Sequence, residues 1–318
     1  MHGGLPQAPA RGKVGLGFNK VDMEYRPPRK LGTATGAIVT GWSLVLSLLL
    51  LSRGLTADIS LSTLGPYLAA AFFFGLAVLF GYWTYGCYTL RYVINRNGLA
   101  IRWGAIRQLI PLDQIERLVE GRQAPEPRVD GVSWPGHHVG RAAVRRVGDT
   151  LFYSTHRSRE DLLYLVTPSQ SYGLSVTDVE GFGRDIQEQR DLGPHVPVRQ
   201  SPERYTVAAQ PFWTDGVAQV LALVAILGCV VVLGYVFARY PGLAPTIPLP
   251  FPPMGGITRV ASKEQLLTLP VTALGILLLN LGLAVLLHTW ERAAGYLLLI
   301  AAAGLQVAFL VGAIVALA

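Results

Sequence analysis

Cysteine is nearly absent from this 318-residue chain, which has only two. Cys87 closes the second apolar stretch and Cys229 lies inside the third. Two thiols at different depths of apolar sequence make neither a disulfide framework nor a metal site, so both read as small packing residues. Charge is scarce as well: 15% of residues are charged against 51% hydrophobic, and mean hydropathy is +0.39. That balance places the chain in the membrane class rather than among soluble domains. Catalytic signatures are missing, with no HExxH, nucleophile elbow, zinc-finger spacing or paired carboxylates. An enzyme is not expected, and no cofactor or metal is predicted. Asp, Glu, Lys and Arg are absent from the middle of every apolar stretch, which argues against an ion or proton path.

Five apolar stretches are present, at about 32–52, 66–88, 217–237, 266–288 and 295–315. Each is long enough to cross a hydrocarbon core of roughly 30 Å at about 1.5 Å per residue. The first opens with Gly32-Thr-Ala-Thr-Gly36, a spacing of small residues that permits close helix packing. It reads as a retained anchor rather than a signal peptide. Tyr82, Trp83, Tyr85 and Tyr88 crowd the end of the second, as an interfacial aromatic belt would. Residues 1–31 are rich in Gly, Pro and Arg and read as a flexible basic tail. Basic residues precede the first span and follow the second, so the N-terminus and the block after it are expected in the cytoplasm of a bacterial inner membrane. Five spans then put the C-terminus outside.

The block 89–193 changes chemistry. Tyr88–Ile94 and Leu99–Trp103 carry β-branched and aromatic residues around Arg96-Asn97-Gly98, a strong hairpin turn. Further strands are predicted at Gln108–Leu112, Ala142–Val147, Leu151–His156, Leu162–Thr167 and Tyr172–Ser175, with a Pro/Gly-rich loop over 121–140. Then the period lengthens: Val179, Phe182 and Ile186 make one helical stripe behind a capping-box pattern, Thr177-Asp-Val-Glu180. The expected fold is a membrane protein of about five transmembrane α-helices with an inserted cytoplasmic β-barrel capped by a C-terminal helix. A linker, 194–216, leads to the last three spans (217–318), which carry a Pro-rich outer loop at 239–265.

Two segments resemble known families. The stretch Tyr92–Leu118, with Gly131–Ala142, Leu151–Thr155 and Tyr172–Phe182, resembles bacterial membrane-anchored PH-like domains, although Val176 stands where proline is usual. That resemblance implies a PH-like barrel and an interaction role. Ile247–Pro270 is similar to a membrane domain of unknown function found in immunity proteins against a secreted killing peptide. It keeps Pro248, Phe251, Gly256, Arg259, Ser262, Lys263, Leu266 and Pro270, but has Pro250 in place of histidine and Pro252 in place of Asn or Asp. This second likeness implies an alternative role, sensing of or immunity to an external peptide recognised through the loop.

Arg141, Arg145, Arg146, Arg157 and Arg159 are the candidate surface for lipid contact, with Asp149, Glu160 and Asp161 interleaved. No basic stripe with interleaved stacking aromatics emerges, so nucleic acid is not an expected partner. His137-His138 is the most tempting metal pair, but spacing supplies no third ligand, with His156 and His195 the nearest options. Asn280 and Gln306 fall at mid-depth of adjacent spans and are expected to hydrogen-bond across that hairpin. The expected partners are membrane lipids and a protein within a membrane assembly, of which this chain would be an accessory subunit.

Overall fold

The computed structural model describes residues 23–193, 201–204, 211–249 and 259–317. Among the described residues, five helices are long and apolar enough to cross a membrane: α1 (Lys30–Thr56), α2 (Leu61–Thr89), α4 (Gly216–Arg239), α5 (Thr268–Leu287) and α6 (Arg292–Leu317). Large side chains such as Trp42, Leu49, Phe72 and Leu279 point outward, as lipid-facing positions should. The inward positions are small. Gly32, Gly36, Ser43, Ser47 and Gly54 are buried on α1, facing Ala70, Ala77 and Gly86 on α2. Lipid gives no hydrophobic drive between helices, so close approach of small residues holds the hairpin together.

α2 starts five residues earlier than the apolar stretch suggests. Ser60 and Thr63 form a reciprocal capping box, and Pro66 is carried inside the first turns. α5 starts two residues later than expected, because Lys263–Leu267 winds as a short 3-10 turn first.

The polar block forms two open sheets. The first contains β1 (Met23–Tyr25), β2 (Arg91–Asn95), β3 (Gly98–Trp103), β4 (Ile106–Ile110) and β11 (Ser201–Arg204), paired in that order and antiparallel throughout. The second contains β5 (Arg117–Glu120), β6 (Asp130–Trp134), β7 (His137–Val144), β8 (Gly148–Ser154), β9 (Leu163–Val166) and β10 (Ser171–Leu174). Its spatial order is β5-β9-β10-β8-β7-β6, with β10 parallel to β8. A closed barrel was the expectation, and the pairing corrects it. β1 and β11 occupy the two edges of the first sheet that closure would use.

Three further expectations change for the same reason, namely pairing outside the strongest apolar runs. Residues 23–25 of the basic tail form a strand on β2. The predicted loop over 121–140 contains β6 and the start of β7. The linker supplies β11, which pairs with β4. Proline-rich and charged edge strands carry little periodic signal, so periodicity alone passes over them.

Between the sheets lies a core of Tyr92, Ile94, Leu99, Ile101, Trp103, Leu163, Leu165, Tyr172 and Leu174. Helix α3 (Val179–Asp191) closes it with Phe182 and Ile186. Asp178, not Thr177, caps that helix, its carboxylate accepting from the Gly181 N–H at 2.8 Å. Tyr92 stitches the layers, donating to the Tyr153 carbonyl at 2.7 Å and accepting from the Ser175 N–H at 3.1 Å.

Candidate functional site

The domain is mounted directly on the helical hairpin. α2 ends at Thr89 and β2 begins at Arg91, leaving no linker. Tyr82 and Trp83, from the last turns of α2, pack against the domain core. Gly86 sits under Trp103 so closely that a Cβ there would stand 2.4 Å from the indole. On the other side the β6–β7 turn meets the start of α1. A Cβ on Gly32 would stand 2.1 Å from the Gly136 carbonyl oxygen, and Gly136 has φ +79°. Only glycine fits both demands there. Trp134 donates its indole N–H to the Gly32 carbonyl at 2.9 Å, and Gly104 N–H bonds the Thr89 hydroxyl at 2.9 Å. Arg29 donates to the Tyr88 carbonyl and lies 4.6 Å over its ring.

His137 occupies the centre of this junction. It is fully buried, 4.6 Å from Trp134 and 6.0 Å from Trp103 by ring centroid, and neither ring nitrogen has a hydrogen-bond partner. Burial, and then the neighbouring His138, pushes its pKa down from 6.5 to about 4. Strand alternation sends His138 to the opposite face, where it meets His156 at 4.0 Å. Each of that pair has Nδ1 held by a serine at 2.8 Å, Ser133 for His138 and Ser154 for His156. The tempting adjacent pair is therefore split, and no group of three metal-ligating side chains converges among the described residues.

The five candidate arginines are all exposed, but they do not form one cluster. Arg145 and Arg146 occupy the β7–β8 turn, whereas Arg157 and Arg159 follow the opposite end of β8. β8 has seven residues, so roughly 20 Å separates the two ends. Arg159 pairs with Glu160 at 3.2 Å. In the outer loop, β12 (Thr246–Leu249) and β13 (Arg259–Ser262) form a hairpin that places Pro248 opposite Val260 and Arg259 opposite Leu249. Lys263 lies 5.1 Å over the Tyr240 ring. Phe251 and Gly256 lie outside the described residues.

Asn280 and Gln306 do not bond to each other. Asn280 donates to Ile276 of its own helix at 2.9 Å, and Gln306 reaches across to the Ala273 carbonyl at 3.1 Å. Gln306 thus bonds the backbone of α5 about two turns from Asn280 rather than the Asn280 side chain. Cys87 and Cys229 are both buried and free, Cys87 accepting a weak bond from Thr33 at 3.7 Å.

One constellation escaped the reading of sequence clusters. Arg91 stands directly opposite Arg102, and Arg102 directly opposite Arg107, on three neighbouring strands. These residues are scattered over seventeen positions of sequence, so no local charge run marks them. Two tight turns bring them together, one pairing Asn95 with Gly98 and the other Trp103 with Ile106. Counting back from those turns would have found the row.

No curated protein and no solved structure matches the chain. A family-model match covers residues 90–190 and does not reach Ile247–Pro270. Residues 90–190, about a third of the chain, match the family model described as the bacterial PH domain, and this membrane protein therefore carries a PH-like domain set directly on its second helix.

Proposed function

We propose that the protein is a non-enzymatic membrane protein whose PH-like domain, held against the cytoplasmic face, docks a protein partner and makes the chain an accessory subunit of a larger membrane assembly. The observation that carries this reading is the mount itself. A domain joined to α2 without a linker, and clasped to α1 through Gly32 and Gly136, keeps a fixed height and orientation above the bilayer. Such a platform suits a partner that is itself embedded in the membrane, because little orientational freedom is lost on docking. A PH domain points to protein or lipid interaction in general. The inner-membrane location and the cytoplasmic placement rest on the distribution of basic residues around the spans.

The test is extraction from native membranes in a mild detergent, followed by size analysis and mass spectrometry of what co-purifies. A large stoichiometric complex is expected. A lone monomer or homodimer would overturn the accessory-subunit role.

A further inference from the structure

We propose that an internal water molecule bridges the indole N–H of Trp103 on β3 and the hydroxyl of Tyr82 on α2, so that a hydration site ties the PH-like domain to its helix. The proposal goes beyond the accessory-subunit reading and does not depend on it.

Two buried polar atoms point to the site. Trp103 is 4% exposed and its indole nitrogen is enclosed. The Tyr82 hydroxyl is enclosed as well, although its ring is half-buried. Among the described residues neither atom has a hydrogen-bond partner. The two rings meet edge to face at 5.6 Å. Buried donors are nearly always satisfied by protein or by ordered water, because leaving one unmade costs its full desolvation.

The local fold explains why the protein supplies no partner. Tyr82 and Gly86 are four residues apart and so share one face of α2. The indole nitrogen approaches that face at Gly86, 2.7 Å from where a Cβ would lie. Helix carbonyls point along the axis and are bonded to the N–H four residues on, so the side of the helix offers the indole no acceptor. The Tyr85 and Gly86 carbonyls are further occupied by the Thr89 hydroxyl, at 2.8 Å and 3.3 Å. That hydroxyl in turn accepts from the Gly104 N–H at 2.9 Å, which pins the β3–β4 turn to the helix.

Space exists beside the turn. A Cβ on Gly104 would stand 3.5 Å from Gly86 Cα and 3.6 Å from the Tyr82 hydroxyl oxygen. These are ordinary contact distances, so one further heavy atom fits there. Gly86 joins the two polar atoms, since its Cα borders this space while its open Cβ side faces the indole nitrogen. Gly104 is itself half-buried, which leaves a way in from solvent.

Chemistry selects the occupant. An indole N–H only donates, which excludes a bare cation, whereas a hydroxyl both donates and accepts. A halide would carry its charge into a wall of indole, phenol and glycine backbone, at high cost. Water is neutral, accepts from Trp103 and shares a bond with Tyr82. Its remaining bond is kept for solvent beyond Gly104, which completes the set of partners that buried water takes.

The experiment uses the full-length protein in detergent. Raman spectroscopy follows the indole N–H of Trp103, isolated by subtracting the spectrum of Trp103→Phe, in the unaltered protein and in Tyr82→Phe. A hydrogen-bonded N–H is expected in the unaltered protein, and loss of the bonded band in Tyr82→Phe. A free N–H in the unaltered protein, or a bonded band that survives in Tyr82→Phe, overturns the proposal. A structure of the unaltered protein detailed enough to show ordered water covers the case in which a variant does not fold. One peak within hydrogen-bond reach of both atoms is expected. No peak there, an indole bonded directly to a protein carbonyl, or a peak that scatters anomalously once bromide replaces chloride overturns it as well.

Discussion

At the scale of single residues, His137 shows how an uncharged-looking position can govern pH response. Its ring is closed in by Trp103 and Trp134 and has no acceptor or donor to either nitrogen. Burial drives its pKa from 6.5 to about 4, and burial does the same to His156. An unfolded chain takes up these protons as pH falls through about 6.5, whereas the folded chain resists until about 4. The unfolded state therefore binds more protons within that window, and stability declines as pH is lowered across it. A shift of this size corresponds to roughly 3 kcal/mol per histidine at about 1.4 kcal/mol per unit. His137→Phe fills the same space without a titratable group. It is expected to reduce the slope between the two pH values without abolishing it, the rest belonging to His156 and to His138, whose pKa burial also lowers, in urea unfolding of the reconstituted protein. An unchanged slope would place His137 in contact with water. Sequence showed this histidine only as half of a doublet. Which of two neighbours faces inward depends on β7 reaching back into a segment whose Pro and Gly content suggested a loop.

Secondary-structure elements were more legible, and unevenly so. The five spans follow from length and hydropathy, and the β2–β3 hairpin from Arg96-Asn97-Gly98, because both signals are local and strong. The edge strands β1, β6 and β11 are three to five residues long and draw their stability from the ladder of a neighbour, so their own composition says little. Closure of the sheets was misjudged on the same account, since these strands decide which edges remain open. The junction between α2 and β2 is the element-level feature with the sharpest mutational consequence. Trp103 is wedged between Tyr82 and His137, with ring centroids at 5.6 Å and 6.0 Å, and lies over Gly86. The added methyl of Gly86→Ala would meet a rigid indole at 2.4 Å rather than the end of a flexible side chain. Overpacking of this kind costs about 1–3 kcal/mol. The expected outcome is a lower unfolding midpoint together with altered Trp103 fluorescence, because the domain must lift from the helix. Gly75→Ala, at a position with no atom within reach of a Cβ, should leave both unchanged.

The whole molecule is held on its domain-facing side by two separate clasps. The first joins α1 to the β6–β7 turn at Gly32, and the second gathers the C-terminal helices around Asp215. One oxygen of that carboxylate caps α4, accepting from Val217 N–H at 3.0 Å and Ala218 N–H at 3.2 Å. The other accepts from the Tyr296 hydroxyl of α6 and lies 3.1 Å from His288 Nε2 at the end of α5. A single side chain thus links three helices. The Tyr296 hydroxyl, with the two backbone N–H groups and His288, holds the carboxyl below its ordinary pKa. Far from the domain, α2 and α4 meet through Tyr67 and Phe237 at 6.0 Å. Nothing in the composition announced the second clasp: Asp215 falls in the linker, 73 positions from His288. Asp215→Asn keeps an acceptor for the cap but removes the charge facing His288 and Tyr296, and Asp215→Ala removes both. The expected result in detergent is a graded loss, with the midpoint of the C-terminal bundle falling for Asn and further for Ala. The domain answers to the first clasp, so its own transition, followed by Trp103 and Trp134 emission, should stay in place. A shift of both transitions together would mean that the domain and the C-terminal helices unfold as one unit, joined more tightly through α2 and α4 than the Tyr67–Phe237 contact implies.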